Sequence, residues 1–410
     1  MRNSVGRLSD NRLQSWKLFA AKSIRGFGIG LIVVSFPTYL SYIGIGSLEI
    51  GAIFSIVMAG TAFLLFFISY RIRRLGRRTS LFLFTAIVSV AAAGVAFSNT
   101  FFVLLPFAFF ANFSLGGSDT SVFLPLEQSL LPDYVSGRER NRTFAVYNTS
   151  GYLAVGFGVL SSSILYGVFG GGLPGYRGIL FVYMACLILN AAIYATIPGI
   201  GRKQETRRLL DYRSLSPRSR SIIRELAFLF AIDAFAGGLV LQSVIAYWFH
   251  LRFNASLESL SYVFAAVNFI IALSLLLTPW IAGRIGVVRT MVFTHLPSNI
   301  LLLLIAFAPT FTIAVVILLL RQSISQMDVP TRQSYVMAVT SDSERPQAAA
   351  ITGLGRSVAS ASSPWISGAM LQFAALGLPF ILGGVLKSFY DLVLLWRFDK
   401  IKPPEEMADS

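Results

Sequence analysis

The chain has 410 residues, of which 55% are hydrophobic and only 13% are charged, and its mean hydropathy is +0.69. Soluble domains carry about 25% charged residues, so this composition excludes a soluble globular protein and predicts an all-α integral membrane protein. The net charge of +15 would suggest nucleic-acid binding in a soluble chain, but most of the excess lies in short connections between apolar segments, so no nucleic-acid partner is expected.

Twelve stretches are long and apolar enough to cross the lipid bilayer, because a spanning helix needs about 20 mostly apolar residues. In chain order, spans 1 to 12 are 18–42, 49–70, 80–98, 101–131, 143–168, 176–198, 225–250, 258–282, 288–308, 311–338, 347–373 and 378–397. The first span lacks a small-residue cleavage site and exceeds the apolar core of a signal peptide, so it is predicted to be a retained first helix.

Lys and Arg are distributed unevenly over the connections, which predicts the orientation of the chain. They cluster in both tails and in alternate connections, whereas the opposite connections carry only Arg177 and Arg252. By the positive-inside rule both termini are cytoplasmic. The protein is therefore expected to be a multi-pass protein of the cell (plasma) membrane.

The chain divides into two related halves. The polar, basic residues 199–224 are predicted to be a cytoplasmic central linker between six-helix bundles at 1–198 and 225–398, and 399–410 are predicted to be a disordered cytoplasmic tail. Six residues of the first half recur 205 positions later: Pro125, Gln128, Ser129, Glu139, Arg140 and Ala145 return as Pro330, Gln333, Ser334, Glu344, Arg345 and Ala350. This duplication predicts two pseudo-symmetric bundles.

The connection after span 2 resembles a signature of the major facilitator superfamily, of the form G-x-x-x-D-R-x-G-R-R. The matching residues are Arg74, Gly76, Arg77 and Arg78, with Arg284 and Gly286 in a weaker copy after span 8. Ser69 and Arg73 replace the family's Gly and Asp. The resemblance implies the major facilitator fold, with twelve transmembrane helices in two pseudo-symmetric six-helix bundles.

In the resembled family the signature's Asp helps to close the cytoplasmic side of the transporter. Arg73 cannot act as that acid, so Glu127 and its repeat equivalent Arg332 are predicted to form a gating ion pair between the halves. The alternative is that these charges fix the depth of their helices at the membrane interface. The predicted cytoplasmic gate comprises Arg74, Gly76, Arg77, Glu127, Arg140, Arg284, Gly286, Arg332, Glu344 and Arg345.

Four charged residues lie deep in spans 1, 4, 7 and 10, which line the central cavity in the resembled family. They are Arg25, Asp119, Asp233 and Arg321. A charge at the bilayer centre costs at least about 2.5 kcal/mol, so each should face protein or water. These four residues are predicted to be the polar groups of a substrate and coupling cavity, with aromatic walls from Tyr147, Tyr152, Tyr247 and Trp248.

Two roles stay open for the acids of this cavity. Asp119 or Asp233 could bind and release a proton, or the acids could form static ion pairs. The candidate static pairs are Asp233 with Lys22 or Arg25, and Arg321 with Asp119 or Asp328.

Spans 9 and 12 are peripheral in the resembled family, and their polar residues are predicted to have structural roles. Lys387 and Asp391 are four residues apart on span 12, so they are expected to satisfy each other. His295 and Asn299 on span 9 could donate to a substrate, but on a peripheral helix they are expected to bond to neighbouring backbone.

The sequence predicts a secondary active transporter that moves a small organic solute by alternating access, with proton-coupled efflux as the leading hypothesis. Residues 289–299 and 327–339 resemble a drug-efflux-like branch of the family. The alternatives are a uniporter or importer of a small anion with Arg25 and Arg321 as ligands, a polytopic membrane enzyme, and a non-transporting sensor. The protein is expected to act as a monomer.

An enzyme is not expected, because the chain has no phosphate-binding Gly-Lys-Ser loop, no His-Glu-x-x-His motif and no Gly-x-Ser-x-Gly elbow. The chain has only two His and one Cys, so it offers no Cys/His metal cluster and no cofactor is expected.

Overall fold

The computed structural model describes residues 2–75, 77–121, 140–197, 215–340, 344–373 and 375–399. All regular structure in these ranges is α-helical. The helices are α1 (Arg2–Tyr42), α2 (Ser47–Leu75), α3 (Arg77–Phe97), α4 (Phe101–Phe110), α5 (Arg140–Val168), α6 (Gly172–Ala195), α7 (Pro217–Leu239), α8 (Gln242–Phe253), α9 (Leu257–Ile285), α10 (Val287–Ile305), α11 (Phe311–Gln322), α12 (Asp328–Ala338), α13 (Arg345–Ala361), α14 (Pro364–Phe373) and α15 (Leu378–Phe398).

Each predicted span contains helix, but four spans are interrupted in a way that the sequence analysis did not predict. Span 4 is α4 followed by irregular backbone at 111–121, and spans 7, 10 and 11 are the pairs α7 and α8, α11 and α12, and α13 and α14. Close packing accompanies one of these interruptions, at the end of α7. A Cβ on Gly238 would lie 2.1 Å from Ser363 Oγ, so this end of α7 meets the junction of α13 and α14.

The helices have the length and the surface of membrane-spanning segments. Eight helical stretches in the described ranges are long and apolar enough to cross a membrane by themselves, and Phe101–Phe110 and Phe311–Gln322 are shorter apolar helices. Large apolar side chains also point outward: Phe102 is 81% exposed and Trp396 is 77% exposed. Such surfaces are costly in water and normal against lipid acyl chains.

The described residues form two compact units. Unit 1 takes in Met1–Gly46, Ile56–Gln204 and Asn254–Ala272, and unit 2 takes in Ser47–Ser55, Glu205–Phe253 and Leu273–Ser410. The first turns of α2 therefore belong to unit 2, where Ser47 Oγ lies 2.9 Å from Tyr247 Oη. The first half of α9 belongs to unit 1, where Ser261 Oγ lies 3.0 Å from Ser162 Oγ.

Unit 1 is built around α1, which packs against α5 and α6. The contact between α1 and α5 is close because both helices present glycine there. A Cβ on Gly30 would lie 2.1 Å from the Val155 carbonyl oxygen, and a Cβ on Gly158 would lie 2.0 Å from that of Phe27. Small residues let two helix backbones approach in lipid, where dispersion contacts drive association.

Unit 2 is organised around α7, which packs against α13 and α15, while α15 also packs against α10. Its apolar core includes Phe230, Tyr335, Tyr390 and Phe398, all 1% exposed or less. Charged side chains lie on the same helices, and this apolar packing holds them in place.

Candidate substrate site

The interrupted spans 4 and 10 hold corresponding places in the two halves of the chain. α4 is 10 residues long and α11 is 12, so each ends about 15–18 Å from its first residue, near the middle of a bilayer core of about 30 Å. After α4, Asn112 adopts a positive φ of 51°. Irregular backbone at this depth is tolerated only where it lies within protein or lines a water-filled cavity, and paired broken helices of this kind mark binding sites in transporters.

The irregular segment after α4 carries Asp119 into a buried ion cluster in unit 1. Lys22 Nζ lies 2.9 Å and Arg25 Nη2 2.7 Å from the same carboxylate oxygen, and all three side chains are 6% exposed or less. Arg25 also donates to Tyr194 Oη at 2.8 Å, and the other Asp119 oxygen accepts from the Ser121 backbone at 3.0 Å. Two cations therefore share one carboxylate, which leaves the cluster with an excess positive charge.

A small polar cavity lies beside Arg25 within unit 1, between α1, the irregular segment and α6. Three buried atoms on its lining residues have no hydrogen-bond partner among the described residues: Asn112 Oδ1, Ser121 Oγ and Asn190 Oδ1. The cavity has room for about one water molecule.

Unit 2 holds a larger ion cluster around Asp233 of α7. One carboxylate oxygen accepts from Lys387 Nζ of α15 at 2.6 Å, and the other accepts from Arg332 of α12 and Arg356 of α13, both at 3.0 Å. Arg332 is also 2.7 Å from Asp328. Arg356 is the outermost of the three cations, because its side chain is 30% exposed while those of Lys387 and Arg332 are below 10%.

Arg321 differs from the other buried cations. It lies in the last turn of α11, is 6% exposed, and its Nε atom has no hydrogen-bond partner among the residues that the structure describes. Across the described part of the chain, its guanidinium forms no ion pair within 4.0 Å, although Asp328 and Asp233 act on it electrostatically. The predicted static pair of Arg321 with Asp328 is therefore wrong, because Asp328 is taken by Arg332.

A second correction concerns the peripheral spans. Asp391 of α15, fully buried, lies 3.0 Å from His295 Nδ1 of α10 and accepts from Asn299 Nδ2 at 2.7 Å. Lys387, the residue expected to satisfy Asp391, reaches Asp233 instead. The i,i+4 spacings of His295 with Asn299 and of Lys387 with Asp391 were visible in the sequence, but spacing alone does not show which helix each pair faces.

The other predicted static pairs are wrong as well: Lys22 and Arg25 bind Asp119 rather than Asp233, so Asp119 pairs with these two cations rather than with Arg321. Asp119 binds Lys22 and Arg25, and Asp233 binds the three cations of unit 2. The four predicted aromatic wall residues lie in different surroundings. Tyr147 is buried, and its ring lies 5.1 Å from Lys22 Nζ, while Tyr152 on α5 is partly buried. Tyr247 contacts Ser47. Trp248 is fully buried against Phe249, Phe253 and Phe380.

The predicted cytoplasmic gate is described only in part. Glu127, Glu139 and Gly76 and the side chains of Arg74, Arg77 and Arg140 lie outside the described residues, as do most of the predicted linker and tail. Arg332 lies in the buried Asp233 cluster. Glu344 accepts from the Ser219 hydroxyl at 2.6 Å, and Arg284 stacks on Trp280 at 4.0 Å. Gly286, with φ of 88°, is the N-cap residue before α10, and Arg345 is the first residue of α13.

Metal ligands do not converge in the described ranges, where no three His, Cys, Asp or Glu side chains come together in a way that could hold an ion. The helices carry apolar exteriors, broken central spans and buried charge clusters, which are the features of a multi-pass membrane transporter.

Comparison with known proteins gives the same class. The sequence profile of the Major Facilitator Superfamily matches residues 18–325 and, in a second match, 226–409, so the chain belongs to that superfamily. The uncharacterized membrane protein YJR124C of Saccharomyces cerevisiae is 22% identical over an alignment of 416 positions, which covers 93% of this chain and 93% of that protein.

Among solved structures, a mutant form of the nucleoside transporter NupG superposes with a TM-score of 0.76 at 13% identity, over 94% of this chain and 100% of that one. The human organic anion transporter MFSD10 superposes with a TM-score of 0.64 at 18% identity, over 94% of this chain and 99% of that one. The all-α major facilitator fold predicted from the sequence is confirmed.

Proposed function

We propose that this protein is a secondary transporter whose substrate is a small organic anion, such as a carboxylate or a phosphate ester. The observation that carries the proposal is Arg321, a buried guanidinium without an ion-pair partner in the described ranges. A buried charge is retained only when a partner or water compensates it. A substrate oxyanion that binds and leaves during the cycle would be such a partner.

The charge balance of each unit supports an anionic substrate. The unit 1 cluster has two cations and one acid. In unit 2, Arg321, Arg332, Arg356 and Lys387 outnumber Asp233, Asp328 and Asp391. Guanidinium groups bind planar oxyanions through paired hydrogen bonds, which suits Arg321 and Arg356 to a carboxylate. The organic anion transporter MFSD10 shares the fold alone, so the preference for anions rests on these charges.

Alternating access is the mechanism that the duplicated architecture supports. Two bundles, 1–198 and 225–398, would expose Arg25, Asp119, Asp233 and Arg321 in turn to either side of the cell membrane, with both termini in the cytoplasm. Gate contacts would come from the loops after spans 2, 4, 8 and 10. The protein would work as a monomer, because each chain contains both bundles.

The experiment is a binding and transport test on purified protein with a matched arginine control. Thermal unfolding in detergent is measured with succinate, inorganic phosphate, uridine, glucose and tetraphenylphosphonium, and the stabilising solutes are tested for uptake into proteoliposomes. Arg321→Gln should weaken binding of the stabilising anion at least about tenfold, because a charge-assisted hydrogen bond contributes about 1.5–3 kcal/mol. Arg289→Gln, at an exposed site that pairs with Asp399, should leave binding unchanged.

Stabilisation by the neutral or cationic probes alone would refute the anion proposal, as would unchanged anion binding in Arg321→Gln. Uptake that requires an imposed ion gradient would define secondary active transport. Substrate counterflow at a rate that does not change with an imposed pH gradient would define a uniporter.

Proton-coupled efflux of a small organic solute is the second candidate. It is supported by the burial of the carboxylates of Asp119 and Asp233 within ion clusters, where a change of partner would change their proton affinity. In proteoliposomes, Asp119→Asn and Asp233→Asn should abolish flux driven by a pH gradient. Unchanged flux would exclude both acids as coupling groups.

A further inference from the structure

The cavity beside Arg25 in unit 1 lies partly outside the spans that were predicted to line the substrate path. Its walls come from α1, from the irregular backbone after α4 and from α6. Spans 1 and 4 belong to the predicted set, but span 6 does not. The cavity is partly open and has room for one group about the size of a water molecule. A substrate would therefore enter it with a single small group and not with a ring.

The walls of this cavity carry more hydrogen-bond acceptors than hydrogens to satisfy them. Asn190, 1% exposed, donates from Nδ2 to the Ala21 carbonyl oxygen at 2.7 Å, and its Oδ1 atom has no partner in the described ranges. Asn112, 4% exposed, has an Oδ1 atom in the same condition. The buried hydroxyl of Ser121, also without a partner there, has one hydrogen and can satisfy at most one amide oxygen. A ligand that supplies one further hydrogen would satisfy the other, which is otherwise costly to bury.

The charge beside the cavity disfavours a cationic donor. Among the described residues, Lys22 and Arg25 share the single carboxylate of Asp119, and Arg25 is itself a cavity residue. The excess positive charge repels an ammonium group or a metal cation, although amide oxygens can bind either. The same charge attracts an oxyanion on the ligand. A neutral hydroxyl group on an anionic molecule therefore suits both the acceptors and the charge.

The backbone conformation at Asn112 does not explain the buried amide. The residue has φ of 51°, in the left-handed region that Gly adopts without strain and Asn adopts more readily than most residues. A glycine would therefore serve the turn after α4 without burying a polar group. Burial of the amide oxygen costs free energy unless a hydrogen-bond donor binds to it.

We propose that this cavity binds one hydroxyl group of the substrate. The substrate hydroxyl and the Ser121 hydroxyl together supply two hydrogens for the two amide oxygens of Asn112 and Asn190. The substrate is then a small hydroxylated anion, a hydroxycarboxylate or a hydroxyalkyl phosphate, and not an unsubstituted acid. This inference rests on the proposed anion function and narrows its substrate class.

The test compares anions that differ by one hydroxyl group. Malate is paired with succinate, and hydroxyethyl phosphate with ethyl phosphate, and each dissociation constant is measured by isothermal titration calorimetry on the purified protein in detergent. In at least one pair the hydroxylated member should bind at least about tenfold more tightly, because the other member leaves a buried acceptor unpaired. The pair that shows the preference identifies the substrate as a carboxylate or a phosphate ester. Equal affinities within both pairs would overturn the subsite.

Substitutions at Asn112 connect this preference with the cavity. Asn112→Gly keeps the positive φ and removes the amide oxygen, so the two members of the pair should then bind within about threefold of each other. Asn112→Asp keeps an acceptor oxygen and should keep the preference, while its negative charge weakens binding of both members. Asn254→Gly is the matched control, because Asn254 has φ of 50° at an exposed position.

The ratio of the two affinities is compared because a general loss of stability would affect both members of a pair alike. Asn254→Gly should leave this ratio unchanged. A ratio that stays at its parent value in Asn112→Gly would refute the assignment of the hydroxyl group to this cavity.

The outcomes separate the subsite from the anion function. If both members of each pair bind equally and Arg321→Gln weakens both, the anion function stands and the hydroxyl subsite is refuted. If glucose binds in a manner that depends on Asn112 while no anion binds, the subsite stands and the anion function fails. Absence of binding by every hydroxylated probe would also refute the subsite.

Discussion

In the ion cluster of unit 1, two cations share one acid. Removal of the acid and removal of one cation are therefore predicted to change the stability of the protein by different amounts. Asp119→Asn removes the carboxylate that both Lys22 and Arg25 contact within 3 Å at nearly complete burial. Removing one partner of a buried ion pair costs about 3–5 kcal/mol, because the remaining charge stays buried without compensation. Asp119→Asn should therefore lower the free energy of unfolding by about 3–5 kcal/mol or more.

Lys22→Met should behave differently, although it removes a partner of the same carboxylate. It leaves a one-to-one pair of Arg25 with Asp119, and the methionine keeps the apolar stem that packs against Gly151. The cost should stay within about 1 kcal/mol, since the lost attraction is offset by the relief of repulsion between two buried cations.

The assay is reversible unfolding of the purified protein in mixed micelles titrated with sodium dodecyl sulfate, followed by tryptophan fluorescence. Lys22→Met/Asp119→Asn should be less stable than Lys22→Met but more stable than Asp119→Asn, because it leaves one uncompensated cation rather than two. If Asp119→Asn and Lys22→Met lower the free energy of unfolding equally, the argument that two cations share the Asp119 carboxylate is refuted. An Asp119→Asn variant as stable as the parent protein would refute it too.

Four further variants test packing and charge. Gly30→Ala should destabilise the protein by about 1–3 kcal/mol in the same assay, because the added Cβ would overlap the α5 backbone. Gly353→Ala in α13 adds a Cβ with no atom within 4 Å, so it should stabilise the protein by about 0.5–1 kcal/mol. Asn299→Leu should cost about 1–3 kcal/mol, because the fully buried amide donates to a buried carboxylate. Arg289→Ala should change stability by less than about 1 kcal/mol, since its ion pair with Asp399 is exposed and screened.

Span positions were predictable because the bilayer imposes a length and an apolar composition that a sequence reveals directly. All twelve predicted spans contain helix. The interruptions in spans 4, 7, 10 and 11 were not predictable in the same way. Span 11 carries a local cue, because Pro364 is the first residue of α14. In spans 4, 7 and 10 the break does not alter the length or the apolar composition by which the span was recognised, so that pattern does not reveal it.

The buried charges were predictable in part, and their pairing was not. Arg356 of the Asp233 cluster was not among the predicted residues. Depth along a span correctly singled out Asp119, Asp233 and Arg321 as buried charges. The partners of Asp233 come from three other helices, and their choice depends on how those helices rotate about their axes. A sequence gives the spacing of Lys387 and Asp391 along one helix, but it does not give the direction in which each side chain points.

The two halves satisfy the same physical need with opposite arrangements. In unit 1 the first helix supplies the cations and the broken span 4 supplies the acid, whereas in unit 2 the corresponding α7 supplies Asp233 and the broken span 10 supplies Arg321 and Arg332. When acid and cations exchange places between equivalent helices, buried ion pairs persist although the two halves of the sequence differ. Among the described residues, both clusters nevertheless keep more cations than acids. Buried excess charge is costly in either arrangement, and the proposed anionic substrate would compensate it while bound.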